Sequence, residues 1–271
     1  MSEARLTRVV CRQLAPRLAD LSANHRQILR TVAQETSSGA QILILPELVT
    51  SGYLFSTAAE LEACAITPTD PLVAEWAAAI SGEAVVVLGY AERGDDGAFY
   101  NAAMLLTADG VLATYRKAHL WDEEKLFFTP GSSAAPIVET RFGRIGVMIC
   151  YDLEFPEFTR RCALDGADLI AVPTNWLRED QPVGESPANW CIAQAAARVN
   201  RVLIACCDRT GTERGKEWAE GTAIFDHFGR LVAAAGQAHR AESEVDLIAT
   251  RDKRWNANND AFADRRPELY A

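Results

Sequence analysis

The chain has 271 residues, 49% of them apolar and 24% charged, and a formal net charge of −10. That is enough apolar sequence for a sizeable core, and an acidic chain with no Lys/Arg run longer than two excludes a nucleic-acid footprint. No apolar run approaches the roughly 20 residues of a membrane helix, and the charged N-terminus lacks the apolar stretch of a signal peptide, so a cytoplasmic protein with no membrane partner is expected.

Strands and helices alternate along the chain. LTRVVCRQLA reads as a strand, and residues 20–39 as a helix with Leu21, His25, Ile28 and Val32 on one face and Gly39 just past its end. QILILP, residues 41–46, is a continuous apolar run, the pattern of a strand buried on both faces. PLVAEWAAAISG predicts a helix, EAVVVLGY a strand, and YNAAMLLTADGVLATYRK a hairpin turning at Asp109-Gly110. The second half repeats the grammar. RIGVMIC is a strand, FPEFTRRCALDGAD a helix, LIAVP a strand, PANWCIAQAAARVN a helix and RVLIACC a strand, before a second hairpin around Phe228-Gly229-Arg230. Helices alternating with strands point to a mixed α/β fold with helices packed on a sheet. The last stretch, RWNANNDAFADRRPELYA, lacks periodicity and reads as a tail laid over the surface or over a partner.

The seven cysteines are odd in number and scattered, with no C-x-x-C pair, so no disulfide framework is expected. The vicinal pair Cys206-Cys207 ends an apolar strand and reads as buried, reduced thiols; a redox-sensing role would need it exposed. Four histidines without an H-x-x-H motif give no metal site.

Cys150 is the residue on which the chemistry turns. It ends a buried strand and precedes a turn into a helix that Pro156 suits at its first turn, which presents the thiol at a sheet edge where α/β ligand sites form. Backbone N–H groups from Tyr151 onward face a developing oxyanion there. The plain alternative is a buried structural cysteine. A nucleophile needs a base; His119 leaves a Cys/His pair open, and Glu47 offers a carboxylate at the mouth of the 41–46 strand, where partial desolvation raises its pKa. Lys117, at the end of a hairpin strand, is either an exposed end or a fixed positive charge that lowers the thiol pKa and steadies an oxyanion. Glu124 follows in a charged, then aromatic segment, WDEEKLFFTPG, suited to a pocket loop. Together the four have a shared purpose: Glu47 accepts the thiol proton, Cys150 attacks a carbonyl, Lys117 and the Tyr151 N–H hold the oxyanion, and Glu124 orients the lysine or the amide nitrogen.

These residues resemble the nitrilase superfamily, the carbon–nitrogen hydrolases. The matching motifs are LPELVTSGY around Glu47, YRKAHLW around Lys117, FFTPG after Glu124 and GVMICYDLEFPE around Cys150, with ADLIAVPTNW, ARVNRVLIACC and RRPELY further on. The resemblance spans nearly the whole chain and implies one carbon–nitrogen hydrolase domain over residues 1–271, a four-layer α-β-β-α sandwich. It implies Glu47, Lys117 and Cys150 as a catalytic triad and a second glutamate at Glu124, with Glu123 one residue out of register. It also implies a homodimer formed through helices near the site, with the tail of about residues 252–271 packing on a partner subunit. The reaction expected is amide hydrolysis through a cysteine thioester, with no cofactor and no metal. Tyr151 after the cysteine favours an amidase over a nitrilase. The closest resemblance is to the aliphatic amidase branch: bacterial amidases acting on small ω-amino amides such as 5-aminopentanamide, and stereoselective amidases. Tyr53, Tyr151, Asn175 and Trp176 are the pocket candidates, and Glu154 or Asp152 would meet a substrate ammonium. The alternatives are an N-carbamoyl amino acid amidohydrolase, with Arg178 as the carboxylate partner, a nitrilase, or a catalytically silent binding module.

Overall fold

In the computed structural model, which describes residues 6–270, the first half runs β1 (Thr7–Arg12), α1 (Leu21–Ser37), β2 (Ile42–Ile44), α2 (Ala58–Glu62), α3 (Pro71–Ala78), β3 (Val85–Arg93), β4 (Phe99–Thr107), β5 (Gly110–Arg116) and α4 (Glu124–Phe127). The second half runs β6 (Ile137–Thr140), β7 (Gly143–Val147), α5 (Pro156–Leu164), β8 (Leu169–Pro173), α6 (Ala188–Asn200), β9 (Leu203–Cys207), β10 (Thr212–Glu213), β11 (Lys216–Glu217), β12 (Ala223–Phe225), β13 (Leu231–Ala234) and β14 (Arg240–Val245). Two six-stranded sheets result, ordered β14-β1-β2-β3-β4-β5 and β13-β12-β9-β8-β7-β6, with β10 and β11 a separate ribbon. Each sheet is built on a parallel triplet, β1-β2-β3 or β7-β8-β9, continued by antiparallel strands.

The side-chain alternation of the central strands fixes the layers. Ile42 and Ile44 face the second sheet and join Val147, Leu169 and Leu203 in one core. Leu43 and Leu45 face the other way, onto Ile28 and Val32 of α1 and Trp76 of α3, all of them 0% exposed. Helices α5 and α6 cover the outer face of the second sheet through Cys162, Ala193 and Ala197. The fold is a four-layer α-β-β-α sandwich. Its helices start where the sequence signals them: the Asp20 carboxylate accepts the Ala23 N–H at 2.9 Å before α1, and Asp70 caps α3 with Pro71 in its first turn. On α1, Ile28 and Val32 enter the core, while His25 accepts the Trp76 indole N–H at 3.0 Å.

Two features of the strands depart from the sequence reading. Strand β7 stops at Val147, and one 3₁₀ turn, Cys150–Glu154, intervenes before α5. Strand β14 was unforeseen because RAESEV buries only Ala241 and Val245; its pairing with β1 makes it a strand. The tail lies at least in part over the surface of its own chain, one of the two places read for it: Arg198 and Arg201 each lie 4.7 Å from the Trp255 ring, and Arg160 lies 5.6 Å from that of Phe262. Among the described residues, no helix is long and apolar enough to cross a membrane.

Candidate active site

The apolar run of β2 delivers Glu47 past Pro46 into the space between the sheets, where it is 0% exposed. The turn crosses β3 so closely that only glycine fits beneath it: a Cβ on Gly89 would stand 2.5 Å from the Glu47 Cα. Lys117 directly follows β5 and is likewise 0% exposed. Its Nζ donates to Glu47 Oε1 and to Glu124 Oε1, both at 2.7 Å. Asn101 on β4 donates to the same Glu47 oxygen at 2.7 Å, and Glu47 Oε2 is left with no donor. Glu124 begins α4 and also accepts the Tyr53 hydroxyl at 2.5 Å and the Trp121 N–H at 3.2 Å. Glu123 is exposed, so Glu124 is the glutamate of the pair that meets the lysine.

Burial and charge set the protonation states here. Desolvation raises the Glu47 pKa to about 6 against the opposing pull of Lys117, with Glu124 pushing the same way. Burial pulls the Lys117 pKa down, but Glu124 and Glu47 outweigh it and hold the ammonium form. Burial, then Glu124, keeps the Tyr53 hydroxyl protonated.

Cys150 arrives from the other sheet in a left-handed backbone conformation, φ +48°, which is strained for a residue with a Cβ. Asp152, 0% exposed, braces this elbow. Its Oδ2 accepts the Ile149 N–H at 3.1 Å and the Tyr115 hydroxyl at 2.8 Å, and its Oδ1 accepts the His119 backbone N–H at 3.0 Å. The His119 Nδ1 lies 2.7 Å from that Oδ1, and its ring stacks on Phe155 at 3.7 Å. The histidine that left a Cys/His pair open is therefore committed to Asp152. Asp152 in turn has no room for a substrate ammonium. Burial raises the Cys150 pKa most, Glu47 adds to it, and Lys117 and the Asn175 backbone N–H pull the other way. The net direction is up. The sequence reading had Lys117 lowering the thiol pKa; desolvation and the Glu47 charge win, and the resting group is a thiol.

Asn175 follows β8 and joins the sheets, its Nδ2 donating to the Glu47 carbonyl at 3.0 Å while its Oδ1 has no partner. Trp176 is buried beside Gly221, with its backbone N–H held by Asp208 at 3.0 Å. Tyr151 sets its ring edgewise against Trp121 and Phe155 at 4.8 and 5.0 Å, as a wall rather than a polar contact. Tyr53, Trp121, Glu124 and Phe128 line a narrow cavity of about 40 Å³. A wide cleft of about 1040 Å³ is lined by Trp176, Trp190 and Trp218. The structure thus joins Glu47, Lys117, Glu124, Tyr53 and Asn175 in one hydrogen-bonded network acting on Cys150, with Tyr151 and Trp176 flanking it. Arg178 is exposed and tied to Glu217 at 2.8 Å. Cys206 and Cys207 are 0% exposed, and burial pushes both thiols up, which removes the exposure a redox sensor would need. Sequence reasoning missed Asn101, a buried amide inside an apolar strand, and Asp208, an acid directly after RVLIACC; a polar residue at a core position was the available signal.

Two sheets close on a buried cysteine, a lysine and two glutamates, an arrangement suited to a hydrolase rather than to a structural sandwich. Residues 8–254 match the carbon-nitrogen hydrolase family, and the chain belongs to it. It is 31% identical over 269 residues to a nitrilase of Pyrococcus abyssi, covering 98% of this chain and 99% of the relative. It is 32% identical over 274 residues to the N-carbamoylputrescine amidase of Solanum lycopersicum, covering 93% and 89%. Among solved structures it resembles the amidase of Nesterenkonia sp. AN1, determined as a glutamate variant with acrylamide joined by Michael addition to the active-site cysteine. There the identity is 26%, the coverage 97% of this chain and 98% of that one, and the TM-score 0.78. The protein is a hydrolase of the amidase and nitrilase class, acting on carbon–nitrogen bonds other than peptide bonds.

Proposed function

We propose that the protein is an amidase that hydrolyses a small aliphatic carboxamide, ω-amino amides among them, to the acid and ammonia through a thioester on Cys150. The observation that carries this reading is Glu47 Oε2, a buried carboxylate oxygen with no donor, on a group whose pKa of about 6 suits a base near neutral pH. Glu47 takes the Cys150 proton as the sulfur attacks the carbonyl carbon, so no free thiolate is needed beforehand. The Lys117 ammonium and the Tyr151 N–H stabilise the oxyanion. Glu47 then returns the proton to the departing nitrogen, and ammonia leaves a thioester. Glu47 next takes a proton from water, hydroxide adds to the thioester carbon, and the acid is released as the sulfur regains its proton.

Three observations support the substrate class. Glu47 Oε2 and Asn175 Oδ1 are buried acceptors in need of N–H donors, which a carboxamide has and a nitrile lacks. Sites of that kind reject the analogue without the donor by factors on the order of 10⁴. The narrow cavity favours a short acyl group. Glu154 sits where Lys117 and Glu179 both act on its carboxyl, whose pKa partial burial raises, so it is the acid placed for an ω-ammonium. A second reading, a carbamoyl compound with a cationic end, shares these features and the name of the tomato relative. Carboxylate-bearing N-carbamoyl amino acids are disfavoured, since Arg178 is engaged by Glu217. Ammonia release from a panel of aliphatic amides, ω-amino amides, N-carbamoyl compounds and nitriles tests this, with mass spectrometry of the protein during turnover. An acyl adduct on Cys150 with the amides is expected. Turnover of carbamoyl compounds or nitriles alone overturns the substrate, and absence of both adduct and ammonia overturns the hydrolytic reading. The same reading carries a homodimer through α5 and α6, whose Leu164 and Val199 are 38% and 50% exposed; sedimentation as a monomer would remove it.

A further inference from the structure

The end of β9 carries a carboxylate to which the mechanism gives no task. Asp208 is 0% exposed and has no cation on it, because the neighbouring Arg209 guanidinium is spent on Glu213 at 2.7 Å and on the Pro16 carbonyl at 3.1 Å. Instead three backbone N–H groups from three segments converge on it. Trp176 and Arg209 donate to Oδ1 at 3.0 and 2.9 Å, and Gly221 donates to Oδ2 at 2.8 Å. The Asp208 N–H is itself fixed by Thr222 Oγ1 at 2.8 Å. Trp176 directly follows Asn175, whose backbone N–H faces the Cys150 sulfur and whose side chain holds the Glu47 carbonyl.

We propose that Asp208 is a positioning residue: as an anion it pins the Trp176 N–H and so sets Asn175 against Cys150 and Glu47. The proposal rests on the amidase reading and adds a requirement that the triad chemistry lacks. Three N–H donors pointing at two oxygens suit a carboxylate. Protonation removes the charge that strengthens all three bonds and sets an O–H among N–H donors, so the hold on Trp176 weakens and the segment that includes Asn175 loosens. Burial raises the Asp208 pKa to about 7, against the three N–H groups, and Glu47 raises it further. The other titratable or charged groups facing it are Arg209 and the thiols of Cys206 and Cys207. Both Glu47 and Asp208 must therefore lose a proton before the site is competent.

The test is the acid limb of log kcat/KM for ammonia release from a small aliphatic amide. In the wild type the limb should rise with a slope of two below about pH 6 and a slope of one between there and about pH 7. Asp208→Asn keeps one acceptor oxygen for Trp176 and Arg209 but, like the protonated acid, carries no charge; it should fold, lose about 30- to 100-fold in kcat and show a single-step limb. Asp208→Ala removes every acceptor and should lose about 100-fold in kcat with KM within about threefold. A single-step limb in the wild type, a two-step limb surviving in Asp208→Asn, or full kcat in Asp208→Ala overturns the proposal. The wild-type limb decides alone if neither variant folds. If no amide yields ammonia, it is the amidase reading that fails, and the pH dependence of Cys150 alkylation by iodoacetamide gives the same one-step or two-step answer without turnover.

Discussion

The two sheets share a strand plan and carry different chemistry. In the first, the ends of β2 and β5 deliver Glu47 and Lys117, and β4 adds Asn101, so this sheet supplies the charged network to which the proposed mechanism gives the acid–base work. In the second, the ends of β7, β8 and β9 deliver Cys150, Asn175 and Asp208, so this sheet supplies the sulfur and the groups that aim it. The first side holds its charges in ion pairs; on the second the thiol is aimed by buried carboxyl groups that hydrogen bonds hold in place. Substitutions on the two sides should therefore fail differently.

The largest contrast is between Cys150→Ala and Lys117→Ala. Removing the sulfur should abolish ammonia release and leave thermal unfolding nearly unchanged, since a small side chain is lost from a strained position. Removing the ammonium leaves Glu47 and Glu124 buried and uncompensated, and should cost about 3–5 kcal/mol in denaturant unfolding as well as all activity. Equal stability of the two variants would break the division.

The paired glycines give the next effect. Gly89→Ala on β3 presses on the Glu47 backbone, and should lower kcat about 10- to 100-fold. Gly146→Ala on β7 would put its Cβ 2.5 Å from the Cys162 sulfur, on the helix-covered face; it should cost about 1–3 kcal/mol of stability with kcat little changed. A smaller signature is pH-dependent. The folded-state pKa of Glu47 lies above its ordinary 4.5, at about 6, so the folded state holds this proton more tightly than the unfolded chain does. Its contribution to stability is full below pH 4.5 and is lost as pH rises through 6, about 2 kcal/mol in all. Glu47→Gln should remove that decline in urea titrations across the window, along with turnover. The smallest effect belongs to Cys191→Ala: this thiol is exposed and away from the network, and both kcat and melting temperature should stay at wild-type values.

Much of this was legible in the sequence where one segment carries its own signal. The apolar runs of β2 and β8 gave buried parallel strands, and the Glu47, Lys117 and Cys150 motifs each stand at a strand end. What stayed hidden needed two segments at once. RAESEV becomes β14 only beside β1, and Asn101 takes on its role only when Glu47 arrives from another strand. Asp208 needs Trp176 and Gly221 together. The net direction of the Cys150 shift was hidden for a similar reason: the downward pull of Lys117 was legible, and the desolvation that outweighs it appears only in the assembled interior.

The hydrogen bond from the Asn175 side chain to the Glu47 carbonyl is a stitch across the seam between the sheets. Because base and sulfur ride on opposite sides of that seam, turnover is a gauge of how well the two slabs stay in register. Warming that slackens the seam disables hydrolysis while the outer helices are still wound, so inactivation should precede loss of the helical circular dichroism signal.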